Sequence, residues 1–119
     1  MFKVIDDPQW VDDVTVNVPD GTGWQQQILR TRFRALPASD VDALNEAGGA
    51  TAVLERAVLG FEDLTDEQDK PVEGDGPWRE KLLEYAYVRL ALIRHYFAAQ
   101  SGQRLGNLET SAAPGLGVN

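Results

Sequence analysis

The sequence contains no cysteine, one histidine and one methionine. Without cysteine there is no disulfide, no thiol nucleophile and no thiolate metal site, a composition that fits a reducing compartment. The most apolar region, Tyr85 to Ala99, carries Arg89, Arg94 and His95, so it is too short and too charged to span a bilayer. The opening residues, MFKVIDDPQW, have no long apolar core and two early aspartates, which argues against a secretory signal. GxSxG, HExxH, Walker and GxGxxG patterns are all missing. The sequence therefore offers an enzyme no recognisable chemistry, and no cofactor or metal is expected.

What is present suits one soluble domain. The chain has 119 residues, 43% of them apolar and 25% charged, enough to bury a core without staples. Its formal net charge is −8, and residues 1–76 hold 16 of the 19 acidic side chains but 6 of the 11 basic ones. Such an acidic shell keeps a protein soluble and repels a phosphate backbone, so nucleic acid is not an expected partner.

Period-two alternation marks two strands. Val14, Val16 and Val18 alternate with polar residues, and after the turn cluster PDGTG, Leu29, Thr31, Phe33 and Ala35 alternate with Arg30, Arg32 and Arg34. This reads as a β-hairpin whose loop is longer than two residues if the second run starts late. Pro37 then breaks the strand, and Ser39 is the expected N-cap of a helix over DVDALNEA that ends at Gly48-Gly49. Val53, Leu54, Ala57 and Val58 recur at helical spacing, which predicts a second helix stopped by Gly60. A third starts at Asp75 or Gly76 with Pro77 at its first position and a Trp78–Leu82–Tyr85 stripe; a fourth runs from about Tyr87 to Gln100. That last helix is apolar nearly all round, so it is either the domain's central helix or partly turned to a partner. The expected fold is α+β: an N-terminal β-hairpin, about four short-to-medium helices making one domain over residues 1–100, and a flexible tail over residues 101–119.

His95 has Ala91, Leu92, Ala98 and Ala99 at helical-neighbour positions, so no carboxylate on its own helix orients it, and it reads as a partly exposed helix residue. The acidic stretch after Phe61 fails as a calcium loop, because Gln68 or Pro71 falls where the template requires glycine. It reads instead as a short turn, DEQDKP, joining two extended pieces. The row Arg30, Arg32 and Arg34 suits either phosphates or the acidic residues of its own domain or of a neighbouring subunit, and the surrounding charge favours the latter. Trp10 and Trp24 are either interface anchors or half-buried core.

The order of these features resembles a family, the tail assembly chaperones of long-tailed bacteriophages with non-contractile tails. The resemblance runs over about residues 10–100. It is carried by RTRFRALPASDVDAL, by VLERAVLGFEDLTDEQDKPV with its Gly60-Phe61 and Glu62-Asp63, and by YVRLALIRHYFAA. The EGDGPW approach to the third helix and the C-terminal tail depart from the family's pattern. The resemblance implies an assembly factor of the host cytoplasm, absent from the mature virion, which binds the tape measure protein. It also implies tail tube subunits as partners through a frameshifted longer form, together with self-association. The contact residues expected on this reading are Trp10, Trp24, Arg30, Arg32 and Arg34 of the hairpin, or Val88, Leu90, Ile93 and Phe97 of the last helix. Two other readings remain: a head–tail joining or minor tail component, and, against the clustering of its acids in turns, an acidic DNA mimic.

Overall fold

The computed structural model describes residues 1–102. All but the first two residues of the expected tail, Ser101 and Gly102, lie outside the described residues. The elements are β1 (Gln9–Asp20), β2 (Gly23–Arg34), α1 (Ala38–Ala57), β3 (Val58–Thr65), β4 (Pro71–Gly74), α2 (Pro77–Leu83) and α3 (Ala86–Gln100). The four strands form one antiparallel sheet in the order β1-β2-β3-β4. The fold is thus α+β, with three helices among the described residues where about four were expected.

The hairpin loop is two residues long, not longer. Asp20 pairs with Gly23 across Gly21-Thr22, and Gly21 supplies the positive φ (60°) such a tight connection needs. The twelve residue pairs of the hairpin run in unbroken register, setting Val14 against Leu29 and Trp10 against Phe33. One face of the hairpin therefore buries Val14, Val16, Leu29, Thr31 and Phe33. The other carries the arginines.

The expected first and second helices are one element, α1, with a break inside it. Gly49 departs from helical backbone (φ 68°, ψ −157°), so two helical segments meet at a kink there. Gly49 does interrupt the helix as expected, yet the chain resumes it at once. The N-cap is Pro37 and no side chain caps the first turn, so Ser39 does not play the role its residue type suggests. The second segment buries Val53, Leu54 and Ala57 as its spacing requires, but it stops at Ala57. Val58 turns extended (φ −93°, ψ 115°) and begins β3, which pairs with β2 from Phe33↔Val58 to Arg30↔Glu62. β-Branched and aromatic residues at Val58 and Phe61 gain more on a pleated, half-buried surface than in another helical turn. Gly60, the expected helix stop, sits inside this strand. A Cβ there would collide with the Asp75 carboxylate and come within 2.7 Å of the Arg32 guanidinium, so glycine makes room for the pair formed by those two side chains.

The acidic stretch forms the predicted turn between two extended pieces. Asp66 organises it: its Oδ1 accepts from the N–H groups of Gln68 (2.8 Å) and Lys70 (3.0 Å), and its own N–H donates to the Lys70 carbonyl (2.9 Å). This is an Asx-type turn. Pro77 opens α2 behind Gly76 as expected. The buried residue of α2 is Leu83, however, while Trp78 and Tyr85 of the expected stripe are exposed and Leu82 is half-buried.

The core lies between the sheet and the helices. Phe33, Leu54, Leu92, Tyr96, Val53 and Val58 are its most enclosed large side chains. α3 lies mainly along β1, and α1 packs against α3. No helix among the described residues is long and apolar enough to cross a membrane.

Candidate interaction surface

Two surfaces are built from the expected contact residues, and strand parity separates them. In β2 the even-numbered side chains Trp24, Gln26, Ile28, Arg30, Arg32 and Arg34 point away from the core. Trp10 faces Phe33 on the opposite side. It is half-buried and stacks on Phe33 (centroids 5.3 Å apart) and on Tyr96 (5.9 Å). Trp10 is therefore part of the core packing, not an exposed anchor. Trp24, which is 69% exposed, remains available to a partner.

The arginine row is satisfied within the chain. Arg30 binds Asp13 (3.1 Å) on one neighbouring strand and Glu62 (3.6 Å) on the other. Arg32 binds Glu62 (3.4 Å) and Asp75 (2.5 Å), and Arg34 binds Asp7 (2.7 Å). The Asp7 carboxyl is held below the usual carboxylate range by a hydrogen bond from Gln9 and then by Arg34. Of the two expectations for this row, the acidic residues of its own domain are what it meets. Each pair is solvated and worth little alone; together they tile the outer face of the sheet with alternating sign.

The candidates on α3 divide as well. Val88 is 2% exposed and belongs to the core, so it makes no outside contact. Ile93 is half-buried against that core. Leu90 (51% exposed) and Phe97 (45%) face outward, and Arg94 lies exposed between them. The helix read as apolar all round thus has a buried side and an exposed apolar side.

His95 is not the partly exposed residue its helix neighbours suggest. It is 7% exposed, its Nε2 lies 2.8 Å from Asp12 Oδ2, and its ring stacks on Phe33 at 5.9 Å. The Trp10 Nε1–H also donates to Asp12 Oδ2 (3.3 Å). The carboxylate that orients the histidine comes from β1, beyond the reach of a helical-neighbour test. The trio ties α3 to the edge strand. No hydroxyl hydrogen-bonds to this imidazole among the described residues; the nearest strand hydroxyl in register, Thr31 Oγ1, donates to its own Leu29 carbonyl (3.0 Å). No group of three or more His, Asp or Glu able to hold a metal occurs among the described residues.

Between β1 and α3 opens a cleft of about 600 Å³, lined by Asp13, Thr15, Asn17, Trp24, Leu90 and Arg94 among others. Its walls join the exposed stripe of α3 to the free side of the edge strand. The lining mixes aromatic and aliphatic groups (Val14, Trp24, Tyr87, Leu90, Ala91) with polar ones (Asp13, Thr15, Asn17, Arg94 and His95).

A scan against protein-family models, a search of curated proteins and a search of solved structures each returned no match.

Proposed function

We propose that this protein is a phage tail assembly chaperone. On this reading it holds the apolar stripes of the tape measure protein in solution during tail assembly, in the cytoplasm of the bacterial host, and leaves before the virion is complete. It makes and breaks no covalent bond, and tail tube subunits join through a longer form of the chain.

The observation that carries the reading is apolar surface left over beside a complete core. Trp24, Ile28, Leu90 and Phe97 are all exposed, although the inner face of the sheet and the buried sides of α1 and α3 are fully packed. Such surface rimmed by charge marks a site for another polypeptide. A tape measure helix is a long amphipathic rod, and many weak contacts along it add to tight holding without any one being strong. The outer sheet face, with its alternating ion pairs and net acidic surroundings, keeps the coated rod soluble.

The test is co-expression with the tape measure protein of the same phage. The soluble fraction of that protein is expected to rise with the intact chain and to fall with Trp24→Ala combined with Ile28→Asp. A tape measure protein that stays equally insoluble with and without the chain overturns the proposal. So does recovery of the chain as a stoichiometric component of purified virions, which makes it a structural tail part instead.

A further inference from the structure

The two edges of the sheet are built differently. β4 is four residues long, begins with a proline and meets β3 through an irregular register, three devices that discourage further pairing. β1 is twelve residues long and pairs without a break to its one neighbour. Its other side is open.

The direction of the free groups follows from the hairpin. A two-residue loop closes on a hydrogen-bonded pair, here Asp20↔Gly23. Such pairs then recur at every second residue, which assigns the ladder bonds to Trp10, Asp12, Val14, Val16 and Val18. The Ala35 N–H donating to the Pro8 carbonyl (2.9 Å) continues the same alternation. Pro19, which has no N–H, falls on the other parity, where none is needed for the hairpin. The N–H and C=O groups of Val11, Asp13, Thr15 and Asn17 therefore point away from β2. None has a protein partner among the described residues, and three of these four residues line the cleft beside α3.

We propose that β1 pairs antiparallel with β1 of a second copy of this chain about a twofold axis, forming a continuous eight-stranded sheet with the two α3 helices side by side above the seam. An isologous contact needs a self-complementary patch, and β1 supplies one. With the axis at Val14 or at Thr15, Asp13 stands opposite Thr15 or Asn17 of the other copy, so no carboxylate opposes another. Arg94, the cation of the cleft, has no carboxylate partner among the described residues. The strand arriving from the second copy brings Asp13, already paired with Arg30 of its own copy, and Asp20, which has no ion-pair partner among the described residues. Leu90 and Trp24, which share the cleft wall, are then covered by the second copy, and Ile28 on the outer face, with Phe97 farther along α3, stays free.

This inference deepens the chaperone reading, since paired copies present two client surfaces to one rod. Its test contains no client, so the two fail separately. Sedimentation velocity and native mass spectrometry of the full chain are expected to show a concentration-dependent species of twice the chain mass. Thr15→Pro removes a free-edge N–H from each copy and no bond of the β1–β2 ladder. It is expected to weaken pairing by roughly tenfold or more, as is Leu90→Asp, with circular dichroism confirming that both variants fold. In the unaltered chain, hydrogen exchange at the amides of Asp13, Thr15 and Asn17 is expected to slow as concentration rises. A chain that stays monomeric overturns the pairing. So does a dimer indifferent to both variants, or edge amides that become protected only when another protein is added.

Discussion

Arg79 and Tyr96 show how single side chains close gaps that secondary structure leaves. α1 ends at Ala57 with carbonyls unsatisfied, as any helix does. The Arg79 guanidinium, from α2, donates to the Glu55 carbonyl (2.7 Å) and twice to the Val58 carbonyl (2.9 and 2.8 Å), and it also pairs with the Glu55 and Glu80 carboxylates. Replacing it by alanine strands those carbonyls, and Arg79→Ala is expected to lower unfolding free energy by about 2–3 kcal/mol in urea titration. Arg79→Lys is expected to recover only part of the loss, because an ammonium lacks the planar fork. Tyr96, fully buried, accepts from the Leu36 N–H (2.9 Å) and donates to the Arg34 carbonyl (2.9 Å), stapling α3 to the β2–α1 connection. Tyr96→Phe keeps the packing and loses both bonds and a third, donated by Gln100 Nε2 (3.1 Å), an expected cost of about 1–3 kcal/mol. Burial pushes the Tyr96 phenol above its ordinary pKa of 10.0. Its contribution is therefore complete below pH 10 and fades as the pH rises from there through the folded-state value. Thermal melts of the unaltered protein are expected to drop in this alkaline window more steeply than those of Tyr96→Phe.

At the scale of elements, local signals succeeded where one residue type has one physical use. The valine alternation, the Gly21 turn, Pro77 behind Gly76 and the Asp66 turn are all where the sequence puts them, since backbone sterics and nearest-neighbour hydrogen bonds decide them. Two junctions went otherwise. Ser39 does not cap α1, and the helix over Val53–Ala57 gives way to β3 because the open side of β2 offers Val58 and Phe61 a ladder and a core. Gly49 is the clearest test of the break in α1. At φ 68° and ψ −157° the backbone lies in a region that only glycine occupies freely, so Gly49→Ala is expected to cost about 1–3 kcal/mol. Gly48→Ala, one residue earlier, meets only the Ala52 side chain at 3.0 Å and is expected to cost less. Comparative chemical denaturation of the two variants checks the assignment.

For the whole molecule, the telling contrast is between Trp10 and Trp24. The sequence presents them alike, each beside polar residues at an end of the hairpin. Pairing sets Trp10 inside against Phe33 and Tyr96 and leaves Trp24 outside, opposite Pro19. Trp10→Ala is expected to destabilise by about 3 kcal/mol, and Trp24→Ala to leave stability within about 0.5 kcal/mol of the original. Of these two, Trp10 is the one whose fluorescence is expected to shift strongly on unfolding. The same logic splits the α3 candidates: Val88 went to the core while Leu90 and Phe97 stayed out. It also gave His95 the Asp12 carboxylate, 83 residues away in the chain.

By itself the sequence determined the mixed class, the hairpin, the turns, the last helix and the acidic balance, because each depends on contacts within a few residues or on totals. Only the tertiary structure decided that Val58–Thr65 is a strand, that the arginine row meets its own domain's acids, and which apolar residues remain outside. Those outcomes depend on which distant surface each segment finds, and periodicity along one segment carries no information about what lies across from it.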